Sequence, residues 1–408
     1  MKKETLWTKN FTYITSASVL SIIGGEVMNL PLSLLVFEQT QSTMLSAIIL
    51  ICGMLPDVLL SVIVAPFIDK GKKKRWIVGL DTLMMMIYII MGVWIANHEF
   101  QYMVYVMLSL VLGNISVFYR LAYGAWYPSL IPVGFEQKGY AISATIYPLI
   151  TIVMAPVATF LYETVTISIL FYIVAGILIV DILIESQIQE GGSLEKQTFT
   201  LKQYKEDIKE GFRYLKNEKG ITNIYTYMAI SNGTYEGSYV ALQAYFQTNP
   251  MLSVTMLGFL RSAEMVGRLL SGIFQYRVEI PAKKRFGITK FVYITYQLAD
   301  MILLFTPYSA MIVNRFICGG LGNTSATVRE TAVQSYLPDN MRARVNAVFN
   351  AIFSVGGILF QIFAGMLGET LPYRTVIIIM GMIGLAAIWI FIIRPDQENR
   401  KVYEAVRE

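Results

Sequence analysis

Leu112-Gly113-Asn114, with Arg120 six residues further on, recurs as Leu321-Gly322-Asn323 with Arg329, every member displaced by 209 residues. Three shared residues make a weak repeat, but the offset persists beyond them. Pro132 is matched by Pro338, Ala141 by Ala347 and Glu163 by Glu369, each at 206 residues, and Asp57 stands to Glu264 at 207. A 408-residue chain that repeats at about half its length reads as two copies of one unit.

Both copies of the Leu-Gly-Asn motif lie in long apolar segments. A helix needs about 20 apolar residues to cross the hydrocarbon core. Twelve segments qualify: 11–37, 44–68, 76–96, 101–125, 139–162, 165–186, 220–246, 253–276, 286–306, 308–332, 343–367 and 373–393. Six spans per copy preserve orientation, so the copies are parallel repeats about an axis along the membrane normal, with substrate expected at the midplane between them. The expected fold is all-α and integral to the membrane: twelve transmembrane helices in two six-helix bundles. The expected domains are 1–190, a central loop 191–218 and 219–408. The charged stretch 187–219, which contains Lys202-Gln203-Tyr204-Lys205-Glu206-Asp207-Ile208-Lys209-Glu210-Gly211-Phe212, predicts a short amphipathic helix on the membrane surface.

Composition agrees. Hydrophobic residues make up 55% and charged residues 15%, where a soluble domain carries roughly 25% charged; mean hydropathy is +0.54. The apolar region after Met1-Lys2-Lys3 is too long for a signal-peptide core and lacks a small-residue cleavage site, so it predicts a retained first span. Cys52 and Cys318 sit in apolar runs and form neither a disulfide framework nor a CxxC site. With His98 as the lone histidine, in a polar loop, zinc and Ser-His-Asp chemistry find no support. No cofactor and no metal ligand are read from the chain.

The net charge of +5 is topogenic. Of 33 lysines and arginines, 27 fall at the termini and in the even-numbered loops, and one, Arg374, falls in an odd-numbered loop. By the positive-inside rule both termini are cytoplasmic, as an even number of spans requires. Nucleic-acid binding is thereby excluded, and a multi-pass protein of the cell (inner) membrane, monomeric, is expected.

At this point the chain resembles the major facilitator superfamily, with its twelve spans, long central loop and basic loop between spans two and three. Ala65-Pro66-Phe67-Ile68-Asp69-Lys70-Gly71-Lys72-Lys73-Lys74-Arg75 holds the place of its Gly-x-x-x-Asp-Arg-x-Gly-Arg-Arg signature; the acid and the basic cluster match, and Ala65 replaces the first glycine. Gly272-Ile273-Phe274-Gln275-Tyr276-Arg277 is a weaker copy without the aspartate. Within the superfamily the chain is most similar to the macrolide-exporter-like drug-efflux branch. Residues 334–345 (Gln334-Ser335-Tyr336-Leu337-Pro338-Asp339-Asn340-Met341-Arg342-Ala343-Arg344-Val345) and Asp207 to Leu215 carry that similarity. The Gly-Pro-rich motif of antiporters is reduced here to Ala155-Pro156-Val157-Ala158.

Ionisable groups inside a bilayer cost about 2.5–3.5 kcal/mol each on insertion scales and commonly mark a pathway. Glu26, mid-span one, Glu236, mid-span seven, and Asp57, mid-span two after Pro56, are the candidate proton-coupling groups. A carboxyl shielded from water can carry and release a proton; the alternative is a carboxyl that only hydrogen-bonds a neighbouring helix. Arg261, Glu264 and Arg268 share one helical face of span eight. They form either a self-neutralising stripe or a charged wall of the substrate cavity, to which Asn29, Tyr235 and Tyr239 are also assigned. Asp300, in a peripheral span, is expected to pair structurally. The resemblance implies a cytoplasmic gate at Asp69, Lys70 and Lys73, with Arg120 and Glu330 as further latches. Aromatic and Met side chains in the spans suit bulky apolar or cationic ligands, though most of them serve packing or interface anchoring.

The expected function is proton-coupled efflux of an amphipathic drug or metabolite by alternating access. A second reading is an importer or facilitator of a small anionic metabolite. A third class is a membrane enzyme, for which no nucleotide or nucleophile motif speaks, or a lipid flippase using Arg261 and Arg268.

Overall fold

The computed structural model describes residues 5–189 and 201–406, and within them not the side chains of 61–63, 65–67, 69–70, 201–205 and 207–208. The described residues are almost wholly helical. Helices α1 (Lys9–Thr40), α2 (Thr43–Lys70), α3 (Lys73–Asn97), α4 (Tyr102–Trp126), α5 (Glu136–Thr164) and α6 (Ile167–Ser186) are the first six spans. Helices α8 (Lys219–Thr248), α9 (Val254–Arg277), α10 (Ala282–Ile302), α11 (Tyr308–Tyr336), α12 (Asp339–Gly368) and α13 (Tyr373–Ala387) are the second six, α13 continuing as a π-helical stretch through Ile393. Between the sets lies α7 (Leu201–Asn217), and the chain ends on α14 (Asp396–Tyr403). Each helical span contains, within a few residues, one of the twelve apolar segments. The fold is all-α, two consecutive sets of six helices.

Nine of the twelve spans are long and apolar enough to cross a membrane on composition alone; α8, α9 and α11 are not among them. Those three carry Glu236, the Arg261–Glu264–Arg268 face and Arg315. Polar residues are concentrated in a few helices of the second half, where protein or water must satisfy them. Outward, large apolar side chains such as Met103, Met107, Phe274, Phe291, Leu359 and Trp389 are more than half exposed, a surface suited to acyl chains.

The chain divides into two compact units: Met1–Gln39 with Ile49–Leu201 and Val254–Gly258, and Thr40–Ile48 with Lys202–Ser253 and Phe259–Glu408. The predicted boundary at 190–191 lies outside the described residues. The first unit packs Phe11, Ile14, Ile68, Ile77, Trp126 and Ile188 into one cluster. It closes α4 on α2 at Gly113, where a Cβ would meet the Gly53 carbonyl at 2.6 Å. At the turn before α5, Gly134 adopts φ +85°, a left-handed conformation that disfavours any side chain.

Each unit takes in the first turn of one further span and caps it with a carboxylate. In the first, Glu163, at the end of α5, accepts the Val254 N–H at 2.5 Å and the Thr255 hydroxyl. Gly258 sits on Ala155, Pro156 and Thr159, so the reduced Ala155-Pro156 motif forms its seat. In the second, Glu369, just beyond α12, accepts from Ser42 Oγ at 2.7 Å, Thr43 Oγ1 at 3.2 Å and Met44 N–H at 2.8 Å. A carboxylate at a helix N-terminus satisfies N–H groups that have no partner within the helix and meets the positive end of its dipole. The 206-residue repeat of Glu163 and Glu369 therefore carries a shared structural role.

The α7 helix is amphipathic, as expected. It lies on the second unit, with Gly211 against the Arg344 carbonyl and Arg344 paired to Glu210 at 2.5 Å. The α14 helix packs on the same unit: Lys290 pairs with Asp396 at 2.7 Å and Tyr293 meets Tyr403, hydroxyl to hydroxyl, at 2.8 Å.

Candidate functional site

Glu26 and Glu236 occupy equivalent places in the two sets of six spans. Glu26, on α1, is 6% exposed and accepts a hydrogen bond from Thr151 Oγ1 of α5 at 3.3 Å. Glu236, on α8, accepts one from Gln361 Nε2 of α12 at 2.9 Å. In each case the first span of a six-helix set presents a carboxyl to an uncharged donor on the fifth. Glu26 and Glu236 are 210 positions apart, and so are Thr151 and Gln361. Thr151 and Gln361 escaped sequence reading because neither is ionisable; the shared 210-residue offset was the available signal.

Local packing holds these carboxyls in place. On α8, Ala229, Gly233 and Gly237 form one ridge, and on α12 Gly356, Phe360 and Ala364 form the opposing one. A Cβ on Gly237 would stand 3.0 Å from the Phe360 carbonyl, and one on Gly233 would strike the Phe360 ring. Small residues spaced four apart let helix backbones approach closely in membranes, and Asn232 Nδ2 adds a bond to the Phe353 carbonyl at 3.0 Å. The seam brings Glu236 within reach of Gln361. One helical turn beyond Glu26, Asn29 is exposed on an otherwise mostly buried stretch of α1.

Beside Glu236, Tyr235 turns to α9. Its hydroxyl donates toward Glu264 at 3.4–3.5 Å, and Arg268 pairs with the same carboxylate at 2.8 Å. Tyr235 and Tyr239 stack at 6.5 Å. Glu264 is 4% exposed because α9 crosses α11 at Gly267 and Gly319, so close that a Cβ at Gly319 would collide with the Glu264 backbone. Arg261 lies within electrostatic reach of Glu236. The span-eight face is thus a partly neutralised stripe with Arg268 still part exposed.

The repeat does not preserve every pairing. Asp57 of α2 pairs with Arg120 of α4, joining two residues that the sequence assigned to different roles. In the second set Glu264 takes Arg268, and Arg329, the counterpart of Arg120, lies over the Phe349 ring at 5.4 Å. Glu330 is exposed and accepts from Gln334 one turn on at 2.7 Å. Lys73 donates to the Ile68 carbonyl at 2.5 Å, capping the end of α2; the side chains of Asp69 and Lys70 lie outside the described residues. Asp300 pairs with Arg315 at 2.7 Å, both about 4% exposed.

Comparison with known proteins places this geometry. A family model described as the Major Facilitator Superfamily matches residues 284–408. Macrolide efflux protein A of Streptococcus pyogenes is 23% identical over 300 residues, covering 67% of this chain and 69% of that protein. Among solved structures, a bacterial homolog to human lysosomal transporter Spinster superposes with TM-score 0.70 at 13% identity, over 97% of this chain and 98% of that one. A POT family transporter in complex with 5-aminolevulinic acid gives 0.71 at 11%, over 95% and 96%. The chain therefore has the fold of the major facilitator superfamily and, in sequence, is similar to its macrolide efflux proteins.

Proposed function

We propose that the chain is a secondary active transporter that exports an amphipathic compound in exchange for protons, its halves 1–190 and 219–408 alternating access about loop 191–218. The carrying observation is the repeated pair Glu26–Thr151 and Glu236–Gln361. A carboxyl that accepts a hydrogen bond from a neutral side chain can keep that partner when its protonation changes. Its partner serves either state, since a Gln amide both donates and accepts. The aromatic face of Tyr235 and Tyr239 suits a bulky substrate, and likeness to a macrolide efflux protein supports the direction. The distribution of lysine and arginine supports a cell-membrane protein with cytoplasmic termini. The anion-import reading would use Arg261 and Arg268, but Arg268 is committed to Glu264.

The test is efflux of a cationic dye or a macrolide from proteoliposomes, with and without a pH gradient. Gradient-driven efflux in wild type should fall at least tenfold in Glu26→Gln or Glu236→Gln, with dye binding retained. Efflux that ignores the gradient in wild type, or that both variants sustain, overturns proton coupling at these groups.

A further inference from the structure

A second group of carboxyls lies apart from this site. Asp81 on α3 and Asp181 and Glu185 on α6 bring one oxygen each to within 4.8 Å of one another. Their exposures are 1%, 0% and 0%. Asp181 and Glu185, four residues apart, share one face of α6. Asp81 Oδ2 and both oxygens of Asp181 and of Glu185 have no hydrogen-bond partner among the described residues, and no described lysine or arginine pairs with them. Lys74 turns its Nζ to the Ser186 and Ile188 carbonyls at 2.5 and 2.8 Å.

An independent observation comes from α4. The Tyr119 hydroxyl oxygen is buried, has no hydrogen-bond partner at bonding distance among the described residues, and lies within electrostatic reach of all three carboxyls. Three helices thus deliver oxygens to one buried cluster, and no described lysine or arginine pairs with them. Three carboxyls this close repel one another and cannot all ionise in an apolar setting without a counter-charge.

We propose that Asp81, Asp181, Glu185 and Tyr119 bind one divalent cation of calcium size, bracing α3, α4 and α6. The oxygen set is hard and anionic, as calcium requires, and offers up to seven ligands where calcium takes about 6–8. At bond lengths of about 2.3–2.6 Å, ligands around one ion stand no more than roughly 5 Å apart, and the three carboxyl oxygens lie within 4.8 Å of one another. Magnesium, at about 2.0–2.1 Å, demands a near-ideal octahedron and usually keeps several waters. The face of α3 beside Asp81 (Val78, Gly79 and Thr82) lines a groove of about 890 Å³ with Lys72, Lys74, Arg75 and Ser186 to Gln189. The site stands independently of the transport reading.

The test uses full-length protein in detergent, stripped with a chelator, and follows 45Ca2+ by equilibrium dialysis together with the thermal unfolding midpoint. Wild type should bind one calcium per chain, saturably, and unfold several degrees higher with calcium than without. Asp181→Asn and Glu185→Gln should each weaken binding at least tenfold and abolish the calcium-dependent shift. Their calcium-free midpoints should equal or exceed that of stripped wild type, because each removes a repelling charge. The exposed-residue control Glu99→Gln should bind as wild type does. Absence of saturable binding by wild type at millimolar calcium overturns the proposal and leaves the cluster to protons. Binding unchanged in the Asp181→Asn, Glu185→Gln double variant overturns it equally, by placing the ion elsewhere.

Discussion

At the scale of single residues, buried charges in this chain divide by partner. Asp300 and Arg315 neutralise each other in the second unit, both nearly inaccessible. Removing one member of such a pair strands the other, at about 3–5 kcal/mol. Asp300→Asn should therefore lower the amount of folded protein in membranes and its thermal midpoint, while the double variant Asp300→Asn, Arg315→Met recovers much of the loss. Glu26 and Glu236 accept hydrogen bonds from the neutral side chains of Thr151 and Gln361. Thr151→Val and Gln361→Leu should leave folding largely intact and shift the pH dependence of transport, read as the external pH giving half-maximal efflux. The ionisable members of both groups were legible in the sequence because a charge inside an apolar run stands out. Their partners were not, since pairing depends on which helices lie side by side.

At the scale of helices, the α8–α12 seam and the carboxylate caps make separate predictions. Gly356 lies against the Ala229 carbonyl, whereas Gly124 has nothing within 4 Å of a Cβ. Gly356→Ala should reduce folded yield severalfold and Gly124→Ala should not, measured by fluorescence-detected size exclusion; overpacking at such contacts costs about 1–3 kcal/mol. For Glu369, burial opposes ionisation, but hydrogen bonds from Met44, Ser42 and Thr43 outweigh it and hold the carboxyl below its usual range. A depressed carboxylate contributes stability at neutral pH that is lost as pH falls through its lowered folded value. Wild type should lose thermal stability on acidification in that window, and Glu369→Gln should start lower, by about 1 kcal/mol, with a flatter acid limb. The sequence paired Glu163 with Glu369 by offset alone; that both cap helix starts became visible only when the helices were placed.

At the scale of the whole molecule, topology is the testable property. Lys72 and Glu99 are both exposed and follow successive spans, and both native cysteines are buried. In intact cells a membrane-impermeant maleimide should label Glu99→Cys and leave Lys72→Cys unlabelled until the membrane is opened, as the positive-inside rule requires. The Asp81–Asp181–Glu185 cluster shows the limit of one-dimensional reading at this scale. Its acids sit in spans three and six, and Asp81 is about a hundred residues from the other two.

The sequence by itself determined twelve spans, their division into two repeated sets and the placing of positive charge on one side. Each follows from the cost of exposing backbone and charge to hydrocarbon, a cost that every segment bears locally. Tertiary structure alone decided which carboxyls pair with arginine, which meet neutral donors and which cluster together. Those outcomes depend on close helix approaches at Gly113, Gly319 and Gly356, where a difference of one methyl group sets which side chains can touch, and residues far apart in the chain settle it jointly.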